Sequence, residues 1–178
     1  ALFAGALKKI DGTDNIYQFS SEGMEYLTTP EVGDARVIGA DPAKAKVVII
    51  EFASLTCHYC QTMQPILDKI VKAHPNEISW VVKNFDRGSI DSELEQAAEC
   101  AADQGKFNQM MDIMYAKQND FFGTVQDADP KTALYNVIEK SAKEAGANSD
   151  KVLACVKAGT YADKVAKSTA QGQEFGVI

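Results

Sequence analysis

Polar and apolar positions divide this chain into three stretches. The first, residues 1–34, is polar and turn-rich with no firm element; Tyr17-Gln18-Phe19 and Tyr26-Leu27 are its candidates for short edge strands. The second is β-prone. Ala35-Arg36-Val37-Ile38 predicts a short strand, ended by Gly39 and Asp41-Pro42. Val47-Val48-Ile49-Ile50-Glu51-Phe52-Ala53 runs without alternation, which predicts a central strand covered on both faces. A helix is expected from about Cys57 to Ala73, carrying Met63, Ile66, Leu67, Ile70 and Val71 and ending near His74-Pro75. Ile78 to Phe85 reads as the next strand. Strand, helix and strand at this length make a βαβ unit, so the two strands should be parallel.

The third stretch is helical. Leu94, Ala97, Ala98 and Ala101 follow a helical period, as do Phe107, Met110, Met111 and Met114. Asp129-Pro130 predicts an N-cap and first helical residue. Leu134, Val137, Ile138, Ala142 and Ala145 continue that helix, and Gly146 can end it. Ser149 is expected to cap the next one, with Val152, Cys155 and Val156 on its apolar face. Tyr161, Val165, Ser168 and Thr169 predict a last helix up to about Phe175. The stripe Phe107, Met110, Met111, Met114, Tyr115, like Trp80, is read as core rather than as a substrate groove.

Length and composition add little beyond one sizeable core: 178 residues, 46% hydrophobic and 24% charged. A net charge of −7 argues against a nucleic-acid partner. No apolar run is long enough to span a bilayer. Ala4-Gly5-Ala6 fits the small-residue pattern of a processed export signal, and fits a frayed mature N-terminus equally well.

The chemistry gathers at Cys57-His58-Tyr59-Cys60, between a buried strand and a helix start. A thiolate there faces unpaired backbone N–H groups and the positive end of the helix dipole, which lower the thiol pKa. A protonated His58 would act the same way. The first cysteine of such a pair attacks, and the second, one turn deeper, resolves the mixed disulfide. A zinc site would need two further ligands, yet the chain has only two His, and Cys100 and Cys155 share no short spacing. A purely structural bridge across so small a loop constrains little chain entropy. Redox chemistry is therefore the preferred reading. Glu51 interrupts an apolar strand; buried, its carboxyl would be raised by desolvation and suit proton transfer, whereas at a strand end it would simply face solvent. Cys100 and Cys155 lie on or beside the apolar faces of their helices, close enough to be bridged if those faces pack, or else two buried free thiols.

The segment Glu51-Phe52-Ala53-Ser54-Leu55-Thr56-Cys57-His58-Tyr59-Cys60 resembles the active-site segment of DsbA-like thiol–disulfide oxidoreductases, with their acidic residue six positions before the first cysteine. Pro65 matches the proline that kinks this helix in thioredoxin-like proteins, and the helical block is similar to the DsbA insertion. The resemblance implies an α/β, thioredoxin-like fold with an all-helical insertion. Residues 1–34 would be an N-terminal extension, 35–89 the first part of the thioredoxin domain, 90–175 the insertion, and 176–178 the start of its remaining part. It also implies a disulfide oxidase using Cys57, Cys60, His58 and Glu51, with Tyr59 in the motif, Glu51 moving a proton at Cys60, and a second, non-catalytic disulfide between Cys100 and Cys155. No cofactor or metal is expected. The implied partners are exported proteins with free thiols and a quinone-linked, DsbB-like membrane reoxidase, with the protein a monomer in the bacterial periplasm. A disulfide isomerase or reductase, or a redox-inert peptide-binding module, are the alternatives. The family's cis-proline loop, two closing strands and final helix have no counterpart among the prolines at 30, 42, 65, 75 and 130, so this sequence is expected to be a piece cut before that loop.

Overall fold

The structure is a computed structural model that describes residues 30–178 and, ahead of them, the backbone of two short strands. These are β1 (Leu7–Lys9) and β2 (Tyr17–Phe19), paired antiparallel with Leu7 opposite Phe19. Tyr26-Leu27 and Ala4-Gly5-Ala6 lie outside the described residues.

The main sheet has three strands in the order β3 (Arg36–Gly39), β5 (Ile78–Asn84), β4 (Val47–Ala53). β4 and β5 are parallel, with Glu51 opposite Val82, and α1 (His58–Ala73) joins them as the βαβ pattern requires. β3 runs antiparallel to β5. The central strand is thus β5, buried along nearly its whole length. The expectation that β4 is central is corrected: among the described residues β4 is an edge strand, and Val47 is 50% exposed. Its unbroken apolar run records the helices above and below the sheet, which is a different matter from its lateral neighbours.

On one face, Trp80 and Val82 of β5 join Leu67 and Val71 of α1 in the main core. Met63, Ile66 and Ile70 lie on the other, exposed side of α1, so only part of the apolar set read from that helix is buried. Gly39 turns with φ 90° beneath this helix; a Cβ there would meet Ile78 O and Val71 Cγ1, each at 2.5 Å.

From Asp91 to Glu174 the chain is helical: α2 (Asp91–Ala102), α3 (Phe107–Ala116), α4 (Gln118–Thr124), α5 (Pro130–Glu144), α6 (Ser149–Lys157) and α7 (Ala162–Glu174). Leu94, Ala98, Met110, Met114, Ile138 and Val152 close the core between these helices. The Phe107–Tyr115 stripe is buried throughout. Asp129 caps α5 by accepting from Thr132 N, and Gly146 follows its end with φ 75°. The cap of α6 is Asn148, which accepts from Lys151 N; Ser149, expected in that role, is the first helical residue and is buried. α7 packs on the opposite sheet face, where a Cβ at Gly172 would come within 2.7 Å of Phe85 and 2.9 Å of Phe52.

Two further links tie the helices together and to the sheet. Glu99 of α2, 1% exposed, is compensated by Arg36, Lys164 and the Asn84 amide, so β3, α7 and β5 meet on one buried carboxylate. Cys100 of α2 is bonded to Cys155 of α6, with Cα atoms 6.0 Å apart.

Candidate redox site

Beyond the ends of the parallel pair, where Phe85 N still donates to Ala53 O, two loops run side by side. One is Ser54-Leu55-Thr56-Cys57; the other is Asp86-Arg87-Gly88-Ser89-Ile90. The first turns tightly, with Cys57 N donating to Ser54 O, and delivers Cys57 as the N-cap residue of α1. Cys60 lies one turn deeper and packs against the core. Both are free thiols. His58 and Tyr59 are exposed, Tyr59 at 80%, and His58 Nδ1 bonds Gln61 Oε1 at 3.0 Å.

The two sulfurs sit in opposed environments. Burial disfavours the Cys57 anion, but the N–H and thiol of Cys60, the N–H of Tyr59 and the Arg87 charge outweigh it, holding Cys57 below its ordinary value. Burial, the adjacent Cys57 sulfur and the Glu51 charge push Cys60 up to about 12, against the Ser54 backbone. The pair is thus split, and its first anion is favoured on the outer sulfur, Cys57. Glu51 is half-buried and accepts from Trp80 Nε1 at 2.9 Å; burial raises its carboxyl, and that hydrogen bond only partly offsets the effect.

The helices grip the loop before Cys57 from both its donor and acceptor sides. Glu95 accepts from Leu55 N at 2.9 Å and Asp91 from Thr56 N at 3.1 Å and Ser54 Oγ at 2.7 Å. From α4, Gln118 donates to Leu55 O at 2.9 Å and Cys57 O at 3.0 Å. Burial holds Glu95 well above the usual carboxylate range, with the Asp91 charge adding to it. Tyr115, buried beside Glu95, Cys60, Glu51 and Asp91, is raised far above an ordinary phenol, chiefly by burial.

A family model described as Thioredoxin matches residues 31–178. The chain belongs to the thioredoxin family. Two solved structures superpose on it: BdbD from Bacillus subtilis, in its oxidised form, with 18% identity, 84% of this chain and 80% of that one covered and a TM-score of 0.67; and α-DsbA1 of Wolbachia pipientis, with 16% identity, 82% and 71% covered and a TM-score of 0.66. The fold is thus thioredoxin-like, with α2–α6 set between the βαβ unit and α7. A curated relative, the Na(+)/H(+) antiporter NhaA 3 of Salinispora tropica, is 27% identical over 104 residues, a match covering 57% of this chain and 16% of the antiporter. The chain therefore spans only a small part of that relative's length, and among the described residues no helix is long and apolar enough to cross a membrane.

Within this family framework, Cys57, Cys60, Glu51, His58 and Tyr59 gather at one end of the sheet, while Cys100 and Cys155 lie apart in the helical block. Arg87, Asp91, Glu95, Tyr115 and Gln118 also belong to the site, and sequence reasoning missed them. One signal was available: Asp91, Glu95 and Glu99 recur every four residues on a helix without basic residues at the intervening turns. Among the described residues, no three His, Cys, Asp or Glu side chains converge as a metal-ligand set.

Proposed function

We propose that this chain is a thiol–disulfide oxidase acting on exported proteins. A substrate thiolate attacks Cys57 of the Cys57–Cys60 disulfide, and Cys60 leaves and takes up a proton, for which Glu51 is the donor. A second substrate thiolate then attacks the substrate sulfur of the mixed disulfide and expels Cys57 as a thiolate. Two substrate thiols are thereby oxidised to one disulfide, and the enzyme disulfide is reduced to a dithiol.

The observation behind this reading is the split pair: a thiolate-favouring Cys57 is a good leaving group and favours the reduced form, which makes the oxidised form an oxidant. In this reading residues 35–89 supply the redox half and 90–175 the helical insertion. Exposed His58 and Tyr59 meet the substrate chain. The Cys100–Cys155 bridge supports an oxidising compartment such as the periplasm, since such bonds do not persist in a reducing cytosol. Reoxidation falls to a quinone-linked, DsbB-like membrane partner, and the protein acts as a monomer.

Cys60→Ala should accumulate mixed disulfides with reduced, unfolded protein through Cys57, and Cys57→Ala should not. The opposite pattern would reverse the two roles. Rapid oxidation of a reduced peptide with little reshuffling of scrambled disulfides supports the oxidase, whereas efficient reshuffling would make the protein an isomerase.

A further inference from the structure

Asp91 opens α2 and is fully buried, at 0% exposure, yet among the described residues it pairs with no cation. Its two oxygens instead accept from three donors on two loops. Oδ1 takes Thr56 N at 3.1 Å; Oδ2 takes Ser54 Oγ at 2.7 Å and Arg87 N at 3.0 Å. One carboxylate therefore staples the loop that ends in Cys57 to the loop that carries Arg87. The Arg87 loop has two residues with positive φ, Gly88 at 87° and Ser89 at 60°. A non-glycine residue in the left-handed region persists where the surroundings over-determine it; here Asp91 brackets the turn, accepting from Arg87 N and donating its own N–H to Gly88 O at 3.2 Å, while Asp86 accepts from Gly88 N. A buried carboxylate with three donors is also stiff, because losing Thr56 N leaves Oδ1 unsatisfied and losing either other donor leaves Oδ2 with a single partner.

We infer that Asp91 is a positioning residue for the nucleophile: by accepting from Thr56 N and Arg87 N at once it fixes the loop that presents Cys57 against the loop that carries the Arg87 cation. This rests on the assignment of Cys57 as the reacting sulfur. Arg87 itself is exposed, so without the staple its loop would move with solvent and its charge would be screened. Other ionisable groups facing the region are Glu51 from β4, His58 and Cys60 from α1, Glu95 from α2 and Tyr115 from α3. Of the side chains outside α1, Arg87 is the cation that acts on Cys57.

The test is the Cys57 titration, followed by thiolate absorbance and by alkylation rate across pH in the reduced protein. Four variants are compared with wild type: Arg87→Gln, Arg87→Lys, Asp91→Asn and the double variant Arg87→Gln/Asp91→Asn. Asn keeps one acceptor for Thr56 N but replaces the other oxygen with a donor, which breaks the hold on Arg87 N. Asp91→Asn and Arg87→Gln should each move the titration to higher pH, the double variant should move it no further than the larger single, and Arg87→Lys should restore most of the wild-type curve. A wild-type thiol that titrates at the ordinary value would sink the redox reading itself. A wild-type acidic thiol left unmoved by Asp91→Asn in folded protein, or additive shifts in the double variant, would overturn the role of Asp91. Should Asp91→Asn fail to fold, Arg87→Gln on the exposed loop still decides the matter: no shift there overturns the proposal.

Discussion

Trp80 donates its indole N–H to Glu51 across the β4–β5 pair, at 2.9 Å. Trp80 lies opposite Ile49, so Glu51 is its diagonal neighbour on the same sheet face. The carboxyl is held toward the core, where burial raises its pKa. Glu51→Gln should leave the first attack at Cys57 nearly unchanged and slow the step that protonates Cys60 by about 100-fold, as measured by rapid-quench separation of the mixed disulfide. A raised folded pKa contributes stability below the unfolded value, about 4.3, and that contribution is lost as pH rises through the folded value. Glu51→Gln should therefore melt higher than wild type at pH 8 and alike at pH 4.

The reduction potential should bend with pH. Reduction takes up two protons while both cysteines are thiols, and one once Cys57 is a thiolate. Each proton contributes about 30 mV per pH unit, so the slope should fall from about 60 to about 30 mV through the Cys57 pKa. It should hold there until the Cys60 value of about 12. The same lowered Cys57 value stabilises the folded dithiol, fully above the unfolded thiol pKa of about 8.5 and progressively less as pH falls through the folded value. A slope of about 60 mV per pH unit held all the way from pH 4 to 9, by equilibration with glutathione, would contradict the split pair.

The Cys100–Cys155 bridge closes a loop of 55 residues. By the chain-entropy estimate its removal should cost about 4 kcal/mol, less any strain. Cys100→Ala/Cys155→Ala should show this loss in urea unfolding, with a larger m-value because the unfolded chain is no longer held by the crosslink. In the native protein the bridge should resist dithiothreitol longer than Cys57–Cys60, since Cys100 is 2% exposed. Peptide mapping without reductant should recover the Cys100–Cys155 link.

Gly172 lets α7 lie against the sheet. Gly172→Ala gains about 1 kcal/mol of helix propensity but forces a methyl to within 2.7 Å of Phe85. Overpacking costs about 1–3 kcal/mol, so the clash should win by about 1 kcal/mol. Phe85→Leu in the same chain should recover much of the loss in thermal melts.

What the sequence made legible was local. Cys57 and Cys60 announce themselves because the motif, the strand before it and the helix after it are contiguous. The helix over 58–73 and the parallel pair follow from periodicity in the same way. Asp91, Glu95 and Gln118 stayed hidden because their partners lie 35 to 63 residues away, and acids at a helix start are ordinary dipole partners in solvent. Arg87 lies in a Gly-Ser loop that carries no motif, whereas His58 stands inside the motif itself, where it bonds Gln61. The short helix over Gln118–Thr124 has too few turns, and a glycine at 123, to show a period.

α2 holds the reactive loop at its beginning, through Asp91 and Glu95, and the Cys100 bond near its end. In the proposed function, one rod thus spans a bond made to cycle and a bond made to last. Because the lasting one is the more shielded, a falling redox poise will idle the protein before it loosens it: turnover stops while the scaffold keeps its shape, and a return of oxidant restarts it without refolding.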